Sequence, residues 1–243
     1  MKLRSLSVII PAFNEERRLP ETLSKLEDFF EDLHLEFLEI LVVDDGSTDG
    51  TTEVVRGMRS TNSHLRLLQN PCNRGKGYAV RHGMLKASGE WRLMTDADLS
   101  TPIGELSKLY QCALRNTAAV SIGSRAIDRR LVSVHQSLFR EFGGRFFNLL
   151  MRVVTGLPFL DTQCGFKLYR ADAASTVFSR QILDGFSFDV EDVFIAHRLG
   201  LKVIEVPVLW ANVEGTKVSL RSTLRAFLDL FRIRFFSAEG KYD

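Results

Sequence analysis

The chain has 243 residues, 45% hydrophobic and 26% charged, enough to bury a full core and ordinary for one globular domain spanning 1–243. A formal net charge of +2 gives no overall basic excess of the kind that marks a nucleic-acid binder. Three scattered cysteines, Cys72, Cys112 and Cys164, suit neither a disulfide framework nor a metal knuckle, and a reducing compartment is the simplest reading.

Met1 to Ser7 is polar and basic, and the apolar run that follows stops at Pro11, too short for the core of a signal peptide. Leu6–Ile10 is predicted as a buried strand, Glu15–Leu33 as a helix, Glu39–Val43 as a second strand and Thr51–Arg59 as a second helix. Leu65–Leu68, Gly77–Ala87 and Trp91–Met94 continue as strand, helix and strand, followed by a helix over Ile103–Asn116 and a strand over Ala118–Ile122. Buried apolar runs alternating with helix-length segments indicate an α/β fold with a mostly parallel sheet covered on both faces. Beyond Arg125 the pattern loosens: a helix over Ser137–Thr155, a strand at Phe166–Tyr169, a helix over Val190–Leu199, a strand at Val203–Val206 and a long amphipathic helix over Val218–Phe236. No stretch approaches the roughly 18 apolar residues of a membrane span, so a membrane role would be peripheral.

In open parallel sheets ligands sit outside the carboxyl ends of the strands. Those ends carry Pro11-Ala-Phe-Asn-Glu15, Asp44-Asp-Gly-Ser-Thr-Asp49, Asn73-Arg-Gly-Lys-Gly77 and Asp96-Ala-Asp98. In an extended segment Asp96 and Asp98 leave on the same side, and two convergent carboxylates suit Mg²⁺ or Mn²⁺ with part of the shell left for phosphates. The plainer reading of the pair is helix capping ahead of Pro102, since Asp-X-Asp is common; its place beside Asp44 and Lys76 favours a ligand site. Ser47 or Asp49 can cap the helix beginning near Thr51 while Asp44 accepts hydrogen bonds from a ligand. Gly75 and Gly77 would let backbone approach phosphate beside Lys76. Neither a Walker loop nor a dinucleotide fingerprint is present. Asp189, Glu191 and Asp192 form a second acidic set, which fits contact with a substrate or an exposed helix N-terminus equally.

Together these blocks resemble family-two glycosyltransferases with the GT-A-type nucleotide-sugar-binding fold, over nearly the whole chain. The blocks are Val8-Ile-Ile-Pro-Ala-Phe-Asn-Glu15, Val42-Val-Asp-Asp-Gly-Ser-Thr-Asp49, Asn73–Gly77 and Asp96-Ala-Asp-Leu-Ser-Thr-Pro102. Gly123-Ser-Arg125, Asp161-Thr-Gln-Cys-Gly-Phe-Lys-Leu-Tyr169 and Phe188-Asp-Val-Glu191 are similar to the dolichyl-phosphate glucosyltransferase and mannosyltransferase branch, the second of these leaning to the glucosyl type. The resemblance implies a nucleotide-binding half, 1–125, and an acceptor-binding, membrane-facing half, 126–243. It implies inverting transfer of a hexose, glucose from UDP-glucose favoured, onto a dolichyl or polyprenyl phosphate, with Mg²⁺ or Mn²⁺ as cofactor. By motif position Pro11, Ala12 and Glu15 would line the nucleotide, Asp44 hold the base, Lys76 approach ribose or phosphates, and Asp96 and Asp98 serve the metal. Arg125 and Arg140 would face the acceptor phosphate, with Gln163, Asp189 and Glu191 as sugar or acceptor contacts. Two positions depart from the pattern: Ser100 stands where mannosyl-type enzymes often have Gln, and Gly144 where some members have Ser.

From Arg125 to Arg152 six arginines face only Asp128 and Glu141, among Phe139, Phe142, Phe146, Phe147, Leu149, Leu150 and Val153. Leu220, Leu224, Phe227, Leu228, Phe231 and Phe235 recur at helical spacing with Arg221, Arg225, Arg232 and Arg234 around them. Such helices pack on a core or lie in a membrane interface. With a lipid acceptor, the expectation is a peripheral enzyme on the cytoplasmic face of a membrane, binding no nucleic acid. The alternatives are a GDP-mannose-dependent enzyme of the same branch and a transferase to a soluble hydroxyl acceptor, which would need a general base among Asp189, Glu191 and Asp192. A non-catalytic nucleotide-sugar-binding module is the rival from another class.

Overall fold

A computed structural model describes residues 2–60, 62–134, 138–213 and 220–243, apart from the side chains of 138–142, 145 and 220–224. The first half is a run of right-sized strands and helices: β1 (Ser5–Ala12), α1 (Leu19–Glu31), β2 (Phe37–Asp44), α2 (Thr51–Arg59), β3 (Leu65–Gln69), α3 (Lys76–Lys86) and β4 (Trp91–Met94). A 3₁₀ turn (Ile103–Glu105) leads into α4 (Leu106–Arg115) and β5 (Val120–Ser124). Then come β6 (Val132–Val134), α5 (Leu138–Thr155), β7 (Lys167–Arg170), α6 (Ala171–Phe178), α7 (Phe188–Arg198), β8 (Val203–Pro207), β9 (Trp210–Ala211) and α8 (Leu220–Ala238).

Seven strands form one sheet in the order β3-β2-β1-β4-β7-β5-β8, and β6 pairs with β9 separately. β7 runs antiparallel to both its neighbours, so the remaining six strands all point the same way. Alternation along each strand sends side chains to two cores. Val8, Ile10, Ile40 and Val42 face α1, α2 and α4, while Ile9, Leu41 and Val43 face α3 and the later helices α5 to α8. The sheet is therefore covered on both faces, and its carboxyl rim is left to loops.

Three expectations shift. α1 begins at Leu19 rather than Glu15, with Pro20, which needs no N–H partner, in its first turn. The residues before it are drawn away: the Glu15 N–H bonds Thr51 Oγ1 at 2.8 Å and the Glu16 N–H bonds Asp49 Oδ2 at 3.2 Å. β1 extends through Pro11 and Ala12, which pair in register with Val43 and Asp44. Finally, α6 and the small β6–β9 pair went unread in the sequence. The predicted start of the last helix at Val218 lies outside the described residues, as do positions 135–137 ahead of α5. No helix among the described residues is long and apolar enough to cross a membrane.

Candidate active site

The strand order reverses at β1, which has β2 on one side and β4 on the other, so the crevice opens at their carboxyl ends. Two loops form one wall by bonding each other. Asn14, at φ 54°, accepts from the Thr48 N–H at 2.8 Å, and its own N–H reaches Ser47 Oγ at 2.9 Å. Glu16 accepts from the Gly50 N–H at 2.8 Å, and Asp49 caps α2 through the Thr51 N–H at 3.1 Å.

Asp44 is only 2% exposed, and each oxygen is already used: Oδ1 accepts from the Ser47 N–H at 3.0 Å, Oδ2 from the Thr52 hydroxyl at 2.9 Å. It shapes the loop as much as it could meet a base. Its neighbour Asp45, not singled out in the sequence, pins the next loop by accepting from Asn70 Nδ2 (2.8 Å) and from the Arg74 and Gly75 N–H groups. Ala12, expected to line the nucleotide, sends its side chain into the core, and its carbonyl accepts from the Asp45 N–H at 2.8 Å. Pro11 is half-buried at the strand end, and Glu15 pairs with Arg18 at 3.2 Å.

Lys76 opens α3, and its Nζ lies 2.7 Å from Asp96 Oδ1 and 4.0 Å from Asp189 Oδ2. Burial alone would lower its pKa, but the two carboxylates outweigh that and hold the ammonium above the ordinary lysine range. The flanking glycines also answer to protein packing. A Cβ on Gly75 would sit 2.4 Å from the Asp184 carbonyl, and one on Gly77 2.6 Å from that of Leu183, so both glycines allow this close protein packing.

Asp96 and Asp98 are not on an extended segment. A turn closes with the Leu99 N–H on the Asp96 carbonyl at 3.2 Å, Leu99 at φ 46°, and the Asp98 Oδ1 accepting from the Ser100 N–H at 2.9 Å. The two carboxylates thus face different neighbours. Lys76 takes one Asp96 oxygen, and a Cβ on Gly165 would come within 2.0 Å of the other. Asp98 is half-buried and hydrogen-bonded through one oxygen. Among the described residues no three His, Cys, Asp or Glu side chains converge on a common point. A divalent ion here would lean on Asp98, with ligand and water oxygens completing the shell.

Arg125 follows β5. Asp161 accepts from its Nε (2.7 Å), Nη2 (2.8 Å) and backbone N–H (3.0 Å), and Nη1 has no hydrogen-bond partner among the described residues. Burial works against the guanidinium charge, yet Asp161 more than compensates and raises the Arg125 pKa further. Glu205 braces the arrangement by accepting from the Leu160 and Asp161 N–H groups and the Ser124 hydroxyl. Gln163 is half-buried beside it, its N–H on Asp161 Oδ1 at 3.1 Å. The Arg140 side chain lies outside the described residues.

The second acidic set is not an exposed helix N-terminus. Every residue of α7 from Phe188 to Ala196 is buried. Glu191, expected as a sugar or acceptor contact, is wholly enclosed: its oxygens accept from the Ile182 and Leu183 N–H groups at 3.1 and 2.8 Å and from the Tyr242 hydroxyl at 2.7 Å. It fastens α7 to a loop and to the chain end. Asp192, also at 0% exposure, accepts from Lys167 Nζ at 3.0 Å and the Tyr169 hydroxyl at 2.8 Å. Burial pushes its carboxyl up to about 7, against the pull of Lys167. Asp189 is shared, with Oδ1 on Lys167 Nζ at 2.8 Å and Oδ2 turned toward Lys76. Lys167 went unnoticed in the sequence, although a lone ammonium in Phe166-Lys-Leu-Tyr169 on a central strand signals a buried ion pair.

Lys76, Asp96, Asp98, Asp189 and Arg125 therefore gather at one rim: Asp98 and Asp189 both contribute to the field at Lys76, and Asp189 to that at Arg125. The glycosyl transferase family 2 model matches residues 7–178. The chain belongs to that family. It is a glycosyltransferase, and the family's fold explains the rim. The dolichyl-phosphate β-glucosyltransferase of Homo sapiens is 36% identical over 98% of this chain and 78% of its own length. Those of Drosophila melanogaster and Saccharomyces cerevisiae are 37% and 32% identical, over 94% and 98% of this chain and 74% and 76% of their own lengths. Among solved structures, glucosyl-3-phosphoglycerate synthase from Mycobacterium tuberculosis, in complex with Mn²⁺ and uridine-diphosphate-glucose, superposes with a TM-score of 0.67 at 18% identity, over 96% of this chain and 78% of that one. Mannosyl-3-phosphoglycerate synthase from Rubrobacter xylanophilus gives 0.67 at 19%, over 98% and 75%. These two show the shared GT-A-like architecture.

Proposed function

We propose that this enzyme transfers glucose from UDP-glucose to a dolichyl-type polyprenyl phosphate, with inversion, at the cytoplasmic face of a membrane. The glucosyl group and the dolichyl-phosphate acceptor follow the names of the curated relatives, and the uridine-diphosphate-glucose donor follows the ligand of the solved neighbour of the same fold. The observation that carries the acceptor class is the closure of Asp189, Glu191 and Asp192. A hydroxyl acceptor needs a general base within reach of its proton. Glu191 and Asp192 are wholly buried and hydrogen-bonded, and Asp189 is held between Lys167 and Lys76. A phosphate monoester has a second pKa of about 6 and is mostly dianionic at pH 7, a competent nucleophile without a base.

What such a reaction needs is charge management. Two unit charges 4 Å apart repel by about 4 kcal/mol at an effective dielectric of 20. Lys76 stands where a donor diphosphate would enter, and the Nη1 edge of Arg125 offers donors to the acceptor phosphate. Asp161 already balances the Arg125 charge, so its contribution is orientation more than neutralisation. A Mg²⁺ or Mn²⁺ held by Asp98 would offset the charge growing on the leaving diphosphate.

The reading is tested by incubating the enzyme and a divalent cation with labelled UDP-glucose, UDP-galactose or GDP-mannose, each with dolichyl phosphate or with dolichol. Label from UDP-glucose appearing in an acid-labile lipid only with the phosphate is the expected result. Transfer from GDP-mannose instead, or to dolichol, would contradict it.

A further inference from the structure

β5 and β8 lie side by side and parallel, with Ser124 opposite Pro207, so the chain leaves both strands at the same rim. Arg125 follows the first. The second runs on through Val208, whose N–H bonds the Ser124 carbonyl at 3.2 Å, into β9 and Trp210. Arg125 and Trp210 are thus delivered together, and the Arg125 guanidinium carbon lies over the Trp210 ring, 5.4 Å from its centroid. β6 holds β9 in place: Val132 pairs with Trp210, and the Ser133 hydroxyl donates to the Trp210 carbonyl at 3.3 Å. The tryptophan is half-buried, and among the described residues it belongs to neither hydrophobic core, so core packing does not account for it.

The contact matters because of what Asp161 leaves undone. Asp161 takes the Nε–Nη2 edge of the guanidinium at 2.7 and 2.8 Å. A planar group gripped along one edge can still tilt about that edge, and the Nη1 donors on the far side sweep furthest. An aromatic ring against the cation opposes the tilt, because its π face attracts the charge. The next residue of β9 reaches the other half of the site. The Ala211 N–H donates to the Ser100 carbonyl at 2.9 Å, and the Ser100 N–H donates to Asp98 Oδ1 at 2.9 Å. Two adjacent residues of one strand therefore brace the Arg125 guanidinium and the Asp98 turn.

We infer that Trp210 is a positioning residue for the acceptor phosphate: it fixes the plane of Arg125, and β9 fixes that plane relative to Asp98. This deepens the phosphate-acceptor reading and rests on it. In this role the ring acts through Arg125, so its loss is felt by the acceptor and not by the donor.

The test is a double-mutant cycle of Trp210→Ala with Arg125→Lys. It is read on kcat and KM for dolichyl phosphate, and on calorimetric binding of a short prenyl phosphate with UDP and Mn²⁺ present. Lysine keeps the charge but has no plane to hold. Trp210→Ala should lower both kcat/KM for dolichyl phosphate and prenyl-phosphate affinity roughly tenfold, with UDP affinity unchanged. Trp210→Phe should recover most of that loss. In the Arg125→Lys background the same Trp210→Ala change should cost less than about twofold, since residues that act through one another do not add. Should Trp210→Ala fail to fold by circular dichroism, Trp210→Leu offers bulk without an aromatic face and carries the same expectation. Equal losses in the two backgrounds, no loss on Trp210→Ala, a Trp210→Phe no better than Trp210→Ala, or a fall in UDP affinity of the folded variant would overturn the inference. Coupled prenyl-phosphate binding without sugar transfer to dolichyl phosphate would count against the proposed reaction and leave the positioning role standing.

Discussion

Asp96 and Asp98 stand on a turn at the carboxyl rim of the sheet, while Asp189, Glu191 and Asp192 stand on a helix buried from Phe188 to Ala196. Both sets flank Lys76, which is 2.7 Å from Asp96 and 4.0 Å from Asp189. The first keeps a partly exposed carboxylate, Asp98, with one oxygen unpartnered among the described residues; in the second, Glu191 and Asp192 are closed off by backbone N–H groups, tyrosine hydroxyls and Lys167. Burial, and not composition, separates a set suited to ligands from a set that holds the scaffold in place.

The sharpest separation should come from Asp98→Ala. Loss of the carboxylate on which the account rests the cation should lower glucosyl transfer by about 10³-fold, with a stability change below about 1 kcal/mol by denaturant melts. Lys167→Met should do the reverse, leaving Asp192 as an uncompensated buried charge and Asp189 with Lys76 alone, at a cost of about 3–5 kcal/mol at pH 8. That loss should shrink toward pH 5 as the two carboxyls take up protons. Glu191→Ala strands the Ile182 and Leu183 N–H groups and the Tyr242 hydroxyl, and should cost about 2–3 kcal/mol, while folded enzyme keeps its affinity for UDP; Glu191→Gln should recover part of the loss. The smallest effect is a slope. Burial lifts the Asp192 carboxyl to about 7 against an ordinary value of 3.8, so between those values the folded state holds a proton that the unfolded chain has released. Stability from this group therefore falls as pH rises through that window, and Asp192→Asn should flatten that part of the wild-type stability profile.

Much of the fold was legible because it is local. The Thr51–Arg59 helix and the Trp91–Met94 strand lie where periodicity puts them, and the strand ends that collect Lys76, Asp96 and Asp98 follow from the parallel-sheet rule. The insertion of antiparallel β7 between β4 and β5 was not legible, since nothing within Lys167–Arg170 encodes which strands it joins. The same holds for the site. Arg125 was found by its motif, but its partner Asp161 lies 36 residues away and its brace Glu205 another 44. Spacing told nothing of whether Glu191 faces a crevice or a core, because α7 has no polar face to betray its burial.

Calorimetric titration of UDP-glucose with Mn²⁺ into wild type, Asp98→Ala and Glu191→Gln separates the two acidic sets in one measurement. Binding to wild type and Glu191→Gln at similar affinity, with none detectable to Asp98→Ala, is the expected result. Equal binding by Asp98→Ala, or loss confined to Glu191→Gln, would contradict it.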